Sequence, residues 1–204
     1  MASPHPTTRT QAERSGRTHA RLLAATIECL AEHGYHATTT RRVAATAGVS
    51  LGALSHQFPS RLDLIAATLD DAVRRGAGEL RGRIDAEVLA DPARLLDLLW
   101  SYFHNELFTV WIKVWLAAAE DEALYARLAP IERRLNRMFA AITADSRPPD
   151  VPKDLWTRRL TTSLHALRGL ELQLALEPGR AAPRRDPWPV VRAELVATLL
   201  RPSR

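Results

Sequence analysis

The chain has 204 residues, a formal net charge of +5, 46% hydrophobic and 25% charged residues, and one cysteine. That length can bury a real core, either as one domain or as a small domain joined to a larger one. The absence of any run of about 18 apolar residues predicts no membrane span, Met1–Gly16 lacks the apolar centre of a secretory signal, and the lone Cys29 excludes an intrachain disulfide and a multi-cysteine zinc site. The expectation is a cytoplasmic protein with no cofactor and no metal.

The charge is unevenly placed. Residues 1–61 hold seven arginines against three acids, and the remaining 21 basic and 20 acidic residues nearly cancel. A basic head on a near-neutral body suits a phosphate-binding module attached to something else.

In chain order, residues 1–16 are rich in Thr, Pro, Ser and Arg and predict a flexible arm. A first helix follows from about Gly16 to His33, carried by Leu22, Leu23, Thr26, Ile27, Leu30 and Ala31, with Gly34 as a left-handed C-cap. The Thr38-Thr39-Thr40 run supplies an N-cap for a short helix ending at Gly48. Ser50 caps a second short helix over Leu51–Gln57, which Pro59 ends. Ser60 and Asp63 form a capping box for a helix over about 61–85. Asp91-Pro92 starts a helix to about Leu107, and another continues to about Ala119. Helices over about 122–144 and 152–177, the second followed by a Pro- and Arg-rich loop, precede a last helix from Asp186-Pro187 to about Leu200. No strand alternation occurs. The fold class is therefore all-α with about nine helices: a helix-turn-helix head over 17–61 and a larger helical body over 62–204.

The sharpest signal lies in Thr39–Phe58. Two short helices joined by Gly48-Val49-Ser50 can cross steeply only if Ala44 is small and Gly48 accepts a positive φ. Val43, Ala47, Val49, Leu54 and Phe58 then point inward. Leu51, Gly52, Ser55, His56 and Gln57 remain as a small, mostly polar surface that a DNA major groove can accept.

These residues resemble the tetracycline-repressor (TetR) family. The resemblance runs from Gly34-Tyr35-His36-Ala37-Thr38-Thr39-Thr40-Arg41-Arg42-Val43-Ala44 through Ala47-Gly48-Val49-Ser50-Leu51-Gly52-Ala53-Leu54-Ser55-His56-Gln57-Phe58-Pro59-Ser60-Arg61. Family members share the threonine pair, the glycine-turn-serine junction and an aromatic-terminated recognition helix. The chain departs from them at Ser55 and Gln57, where an aromatic is usual, and at Arg61, often a lysine. A double-stranded DNA operator is the expected partner. Thr40, Ser55, His56 and Arg61 are expected to reach phosphates, with Arg42 solvated or facing a phosphate. The helix start at Ser50–Leu51 offers a backbone N–H. Arg41 and Gln57 are the expected base readers, because Arg suits the guanine O6/N7 pair and Gln suits adenine.

The body holds an aromatic stripe: Trp100, Phe103, Phe108, Trp111 and Trp115, with His104 beside it. Such a stripe is either core or the lining of a ligand pocket. His165, Arg168 and Glu171 share one helix face and offer polar groups to that pocket, or form a salt-bridged network. Trp111-Ile112-Lys113-Val114-Trp115-Leu116-Ala117 and His165-Ala166-Leu167-Arg168-Gly169-Leu170-Glu171-Leu172-Gln173 resemble the BetI-like branch of the family. That resemblance implies a regulated body and pairing through the last two helices. The dimer residues are then Leu164, Leu167, Gly169, Leu170, Leu174, Val191, Leu195 and Leu199. A homodimeric repressor released from its operator by a small-molecule effector is the leading expectation. A DNA-binding factor without ligand and a helical enzyme are the alternatives; against the enzyme, no HExxH, Gly-rich phosphate loop or nucleophile–base pair occurs.

Overall fold

The computed structural model describes residues 11–176 and 186–201, so residues 1–10 of the expected arm and most of the Pro- and Arg-rich loop lie outside it. Two compact units divide between Asp71 and Ala72.

The first unit begins with α1 (Gln11–Ala37) and continues through α2 (Thr40–Ala47), α3 (Leu51–Gln57) and the start of α4 (Arg61–Gly82). Residues 11–16, expected in the arm, are helical: Gln11, Ala12 and Arg14 favour helix, and Glu13 sits in the first turn where the helix dipole favours a carboxylate. Helical geometry breaks at Gly34, as the sequence suggests, but with φ 73° and ψ 178° rather than in a left-handed cap. Only glycine adopts that region without strain. Gly48, by contrast, is a left-handed C-cap at φ 61° and ψ 42°, and its N–H and that of Val49 close the end of α2. Leu22, Leu23, Ala25 and Cys29 of α1 meet Val43, Ala44 and Ala47 of α2, Leu54 of α3, and Phe58 and Leu64 in one buried cluster. Cys29 is 2% exposed, with its sulfur 3.5 Å from the Thr46 hydroxyl.

The second unit completes α4 and adds α5 (Ala86–Ala90), α6 (Pro92–Phe103), α7 (Glu106–Ala118), α8 (Glu122–Ile142), a 3-10 turn (Ala144–Ser146), α9 (Lys153–Leu176) and α10 (Trp188–Leu200). Among the described residues there are thus ten α-helices. The one not anticipated is α5, started by Asp85, whose carboxylate accepts from the Val88 N–H at 2.8 Å. The α6–α7 break also falls earlier than Leu107. Asn105 caps α7 by accepting from the Phe108 N–H at 2.9 Å, so the aromatic stripe is divided between two helices.

Packing joins α6 and α7 to α9, α7 to α8, and α10 to both α6 and α9. The centre is aromatic. Phe103 lies edge-on to Phe108 with centroids 4.7 Å apart and beside Phe139 at 5.2 Å, and both Phe103 and Phe139 are fully buried. Burying each phenyl ring contributes about 1.5–3 kcal/mol. Tyr102 stands edge-on to Phe139 at 5.3 Å and closes against α4, where a Cβ on Gly76 would fall 2.8 Å from its ring. Gly76, which weakens the helix by propensity, leaves room for the Tyr102 ring, whereas nothing lies within 4 Å of a Cβ at Gly78.

Three glycine substitutions separate these causes in chemical denaturation. Gly78→Ala should stabilise by up to about 1 kcal/mol through helix propensity. Gly76→Ala should lose that gain and destabilise by about 1–2 kcal/mol through overpacking on Tyr102. Gly48→Ala should cost about 1–2 kcal/mol, because its backbone is left-handed.

Candidate nucleic-acid interface and effector cluster

Capping fixes where the two short helices start. The Thr39 hydroxyl accepts from the Arg42 N–H at 3.2 Å, and the Ser50 hydroxyl accepts from the Ala53 N–H at 3.1 Å. Leu54 and Phe58 anchor α3 in the core, leaving Leu51, Gly52, Ser55 and His56 exposed. Leu51 is 43% exposed, an apolar side chain held outward at the head of the helix. Arg41 lies exposed on α2 and makes no hydrogen bond or ion pair among the described residues. Thr40 is half-buried at the first turn of α2.

Three of the expected contact residues are engaged inside the head. Arg42 donates to the Ala37 carbonyl at 3.0 Å. Gln57 donates through Nε2 to the Ser15 carbonyl at 3.2 Å and accepts at Oε1 from His19 Nδ1 at 3.0 Å. Arg61 donates through Nε to the Thr38 carbonyl at 2.6 Å and through Nη2 to the Tyr35 carbonyl, with its guanidinium 4.1 Å from the centre of the Tyr35 ring.

Two α1 residues that the sequence reading passed over help build this face. His19 stacks on Phe58 with centroids 5.1 Å apart, and Arg21 donates to the Gly48 carbonyl at 3.1 Å. Their only sequence signal is helical spacing ahead of the apolar run, which does not distinguish a brace from a solvated side chain.

In the body, the expected pocket residues fall into two groups. Phe103 and Phe108 belong to the packed centre, and Trp111 is buried beside the half-buried Trp115. The Trp115 indole N–H is buried without a hydrogen-bond partner among the described residues. Trp100, His104 and Glu171 form a separate cluster. The His104 ring stacks on Trp100 at 4.8 Å, and Trp100 stacks on Trp188 at 5.0 Å. His104 Nδ1 donates to Glu171 Oε2 at 2.7 Å, while the Thr109 hydroxyl lies 3.3 Å from Oε1. Glu171 is 4% exposed, whereas more than half of the His104 side chain is accessible. Beside this cluster, Arg168 bonds Glu132 at 2.6 Å and Asn136 at 3.1 Å, and His165 faces outward. Burial pushes the Tyr102 phenol up to about 12, opposed by the Arg168 charge and supported by Glu132 and Glu79.

Of the expected dimer residues, Leu167, Leu195 and Leu199 are buried within the single chain, because one side of each helix is needed for the protomer's own core. Leu164, Gly169, Leu170, Leu174 and Val191 remain accessible or partly so. Val190 and Leu200 are 62% and 55% exposed on α10, whose apolar residues surround the helix instead of forming one stripe. No helix among the described residues is long and apolar enough to cross a membrane.

Comparison with known proteins places these features in a family. The model for bacterial regulatory proteins of the tetR family matches residues 22–68, and that for the C-terminal domain of BetI-type transcriptional repressors matches residues 93–200. The HTH-type transcriptional regulator CymR of Pseudomonas putida is 35% identical over 121 residues, covering 58% of this chain and 60% of that protein. BetI of Cronobacter sakazakii is 28% identical over 132 residues, covering 62% of this chain and 64% of that protein. The chain thus aligns with less than two thirds of the length of these curated relatives. Among solved structures, a transcriptional regulator from Rhodococcus sp. Rha1 superposes with a TM-score of 0.69 at 24% identity, covering 89% of this chain and 93% of that one. The multidrug binding protein EbrR, complexed with imidazole, gives 0.65 at 21% identity, covering 91% and 96%. Both likenesses concern the fold. With the two family models spanning head and body in succession, the chain belongs to the TetR family of bacterial regulatory proteins, with a BetI-type C-terminal domain.

Proposed function

We propose that the chain is a homodimeric repressor whose α2 and α3 bind duplex DNA and whose operator affinity is lowered by a small-molecule effector. The observation carrying the DNA reading is the outward face of α3. Its core side is occupied by Leu54 and Phe58, while Leu51, Gly52, Ser55 and His56 stay exposed, as does Arg41 on α2. Ser55, His56 and Thr40 supply phosphate contacts, and these set register. Leu51 suits a thymine methyl, and Arg41 suits a guanine edge. Gln57 can read a base only by giving up its bonds to His19 and Ser15, so Arg41 carries the larger share of base readout.

Pairing is supported by α10. A helix apolar all round needs cover on more than one side, and α6 and α9 cover only part of it. Two heads also give the affinity that a single module lacks.

The effector reading rests on Glu171. A buried carboxylate whose partner is a half-exposed imidazole can exchange that partner for an incoming donor or cation, and the Trp100 face beside it favours a planar or positively charged group. A coupling of about 1–3 kcal/mol between effector and DNA would change operator occupancy by about 5–150-fold.

Binding to DNA from the flanks of the chain's own gene, at stated salt, tests the first reading; the expected Kd is around 10⁻⁸–10⁻¹¹ M, weakening steeply as salt rises. Arg41→Ala should cost about 1–3 kcal/mol at one base pair, whereas equal weakening across unrelated sequences would assign Arg41 to phosphate. For the effector, thermal-shift screening with small organic cations should give hits that Glu171→Gln weakens about tenfold or more. Hits untouched by that change would move the site elsewhere.

A further inference from the structure

Arg61 opens α4, and its sequence position predicts a phosphate contact. Its geometry is that of an internal fastening. The plane stacks 4.1 Å from the centre of the Tyr35 ring, Nε donates to the Thr38 carbonyl at 2.6 Å, and Nη2 donates to the Tyr35 carbonyl. Both carbonyls belong to the turn between α1 and α2. The same turn holds Gly34 at φ 73° and is closed by two further bonds, from the Thr38 hydroxyl to the Gly34 carbonyl at 2.7 Å and from the Thr38 N–H to the Tyr35 carbonyl at 3.2 Å. The next residue, Thr39, is the N-cap of α2. Tyr35 and Thr38 are buried and Arg61 is half-buried.

Resting on the DNA-binding reading above, we infer that Arg61 is a positioning residue: it ties the start of α4 to the turn before α2 and so sets where Thr40 and Arg41 stand, and it does not contact phosphate itself. The chemistry needs arginine. A planar guanidinium can lie on an aromatic face while its edge donates to two carbonyls, and a lysine ammonium cannot reproduce both. Ion-pair bookkeeping agrees, since no carboxylate is needed to satisfy a cation that bridges two backbone acceptors at the open end of a turn.

The test compares Arg61→Lys, Arg61→Ala and Tyr35→Leu with the wild-type chain on a 30-base-pair duplex from the flank of its gene and on a random duplex of equal length. Losing a phosphate contact lowers the slope of log K against log salt by about one unit. A positioning role predicts about 3–10-fold weaker specific binding in all three variants with the slope unchanged. Arg61→Lys should fail to rescue, and Tyr35→Leu combined with Arg61→Lys should be no worse than either alone. Wild-type affinity in Arg61→Lys, or a slope reduced by one unit in Arg61→Ala only, would overturn the assignment. Hydrogen exchange on the free protein separates this from the regulator reading: amides of residues 38–43 should exchange faster in Arg61→Lys, whatever the wild-type chain does with DNA. Unchanged exchange there would also sink the tie.

Discussion

The head depends on how closely α2 and α3 approach at Gly48. The approach needs a left-handed residue to turn the chain, a small Ala44 beneath the crossing, and inward anchors at Val43, Leu54 and Phe58. Once these are buried, the other side of α3 has no choice of direction and must face solvent. The outward surface is thus a by-product of core packing, and its chemistry can vary without disturbing the fold. Arg21 strengthens the same junction from α1 by bonding the Gly48 carbonyl, so the turn is held from outside as well as from within.

The body is organised differently. Its centre is a set of interlocked rings from α6, α7 and α8, closed by Tyr102 against Gly76 of α4. Several of its charged side chains meet a polar partner. Glu171 meets His104, Arg168 meets Glu132, and Asp97 accepts from the Trp188 indole at 3.0 Å and from Arg192 at 2.8 Å, joining α6 to α10. A buried charge without such a partner would cost several kcal/mol. The Glu171 pair differs from the others in its asymmetry: the carboxylate is buried while more than half of its imidazole partner is accessible.

Much of this was legible in the sequence because it rests on local rules. The caps at Thr39, Ser50 and Asp91 and the glycine turn at Gly48 mark helix boundaries within a few residues, and helical spacing identifies the head's core. The missed elements have equally definite causes. α5 is too short for periodicity to register, and its Asp85 cap lies in what reads as the end of α4. The α6–α7 break follows from Asn105, a cap hidden inside an unbroken apolar pattern. Site residues were less legible. Sequence identifies Arg61 and Gln57 as polar and near the reading helix, but whether such a group faces DNA or its own backbone depends on Tyr35, Ser15 and His19, brought near by folding. The dimer residues carry the same ambiguity: leucine spacing on α9 and α10 shows two apolar helices, not which side of each is already occupied by its own chain.

Cys29 carries a practical consequence. Its thiol is sealed between α1 and α2 against Thr46, so an alkylating reagent can reach it only when those helices part. As the chain's single cysteine, it is a built-in reporter whose labelling rate clocks the opening of the head.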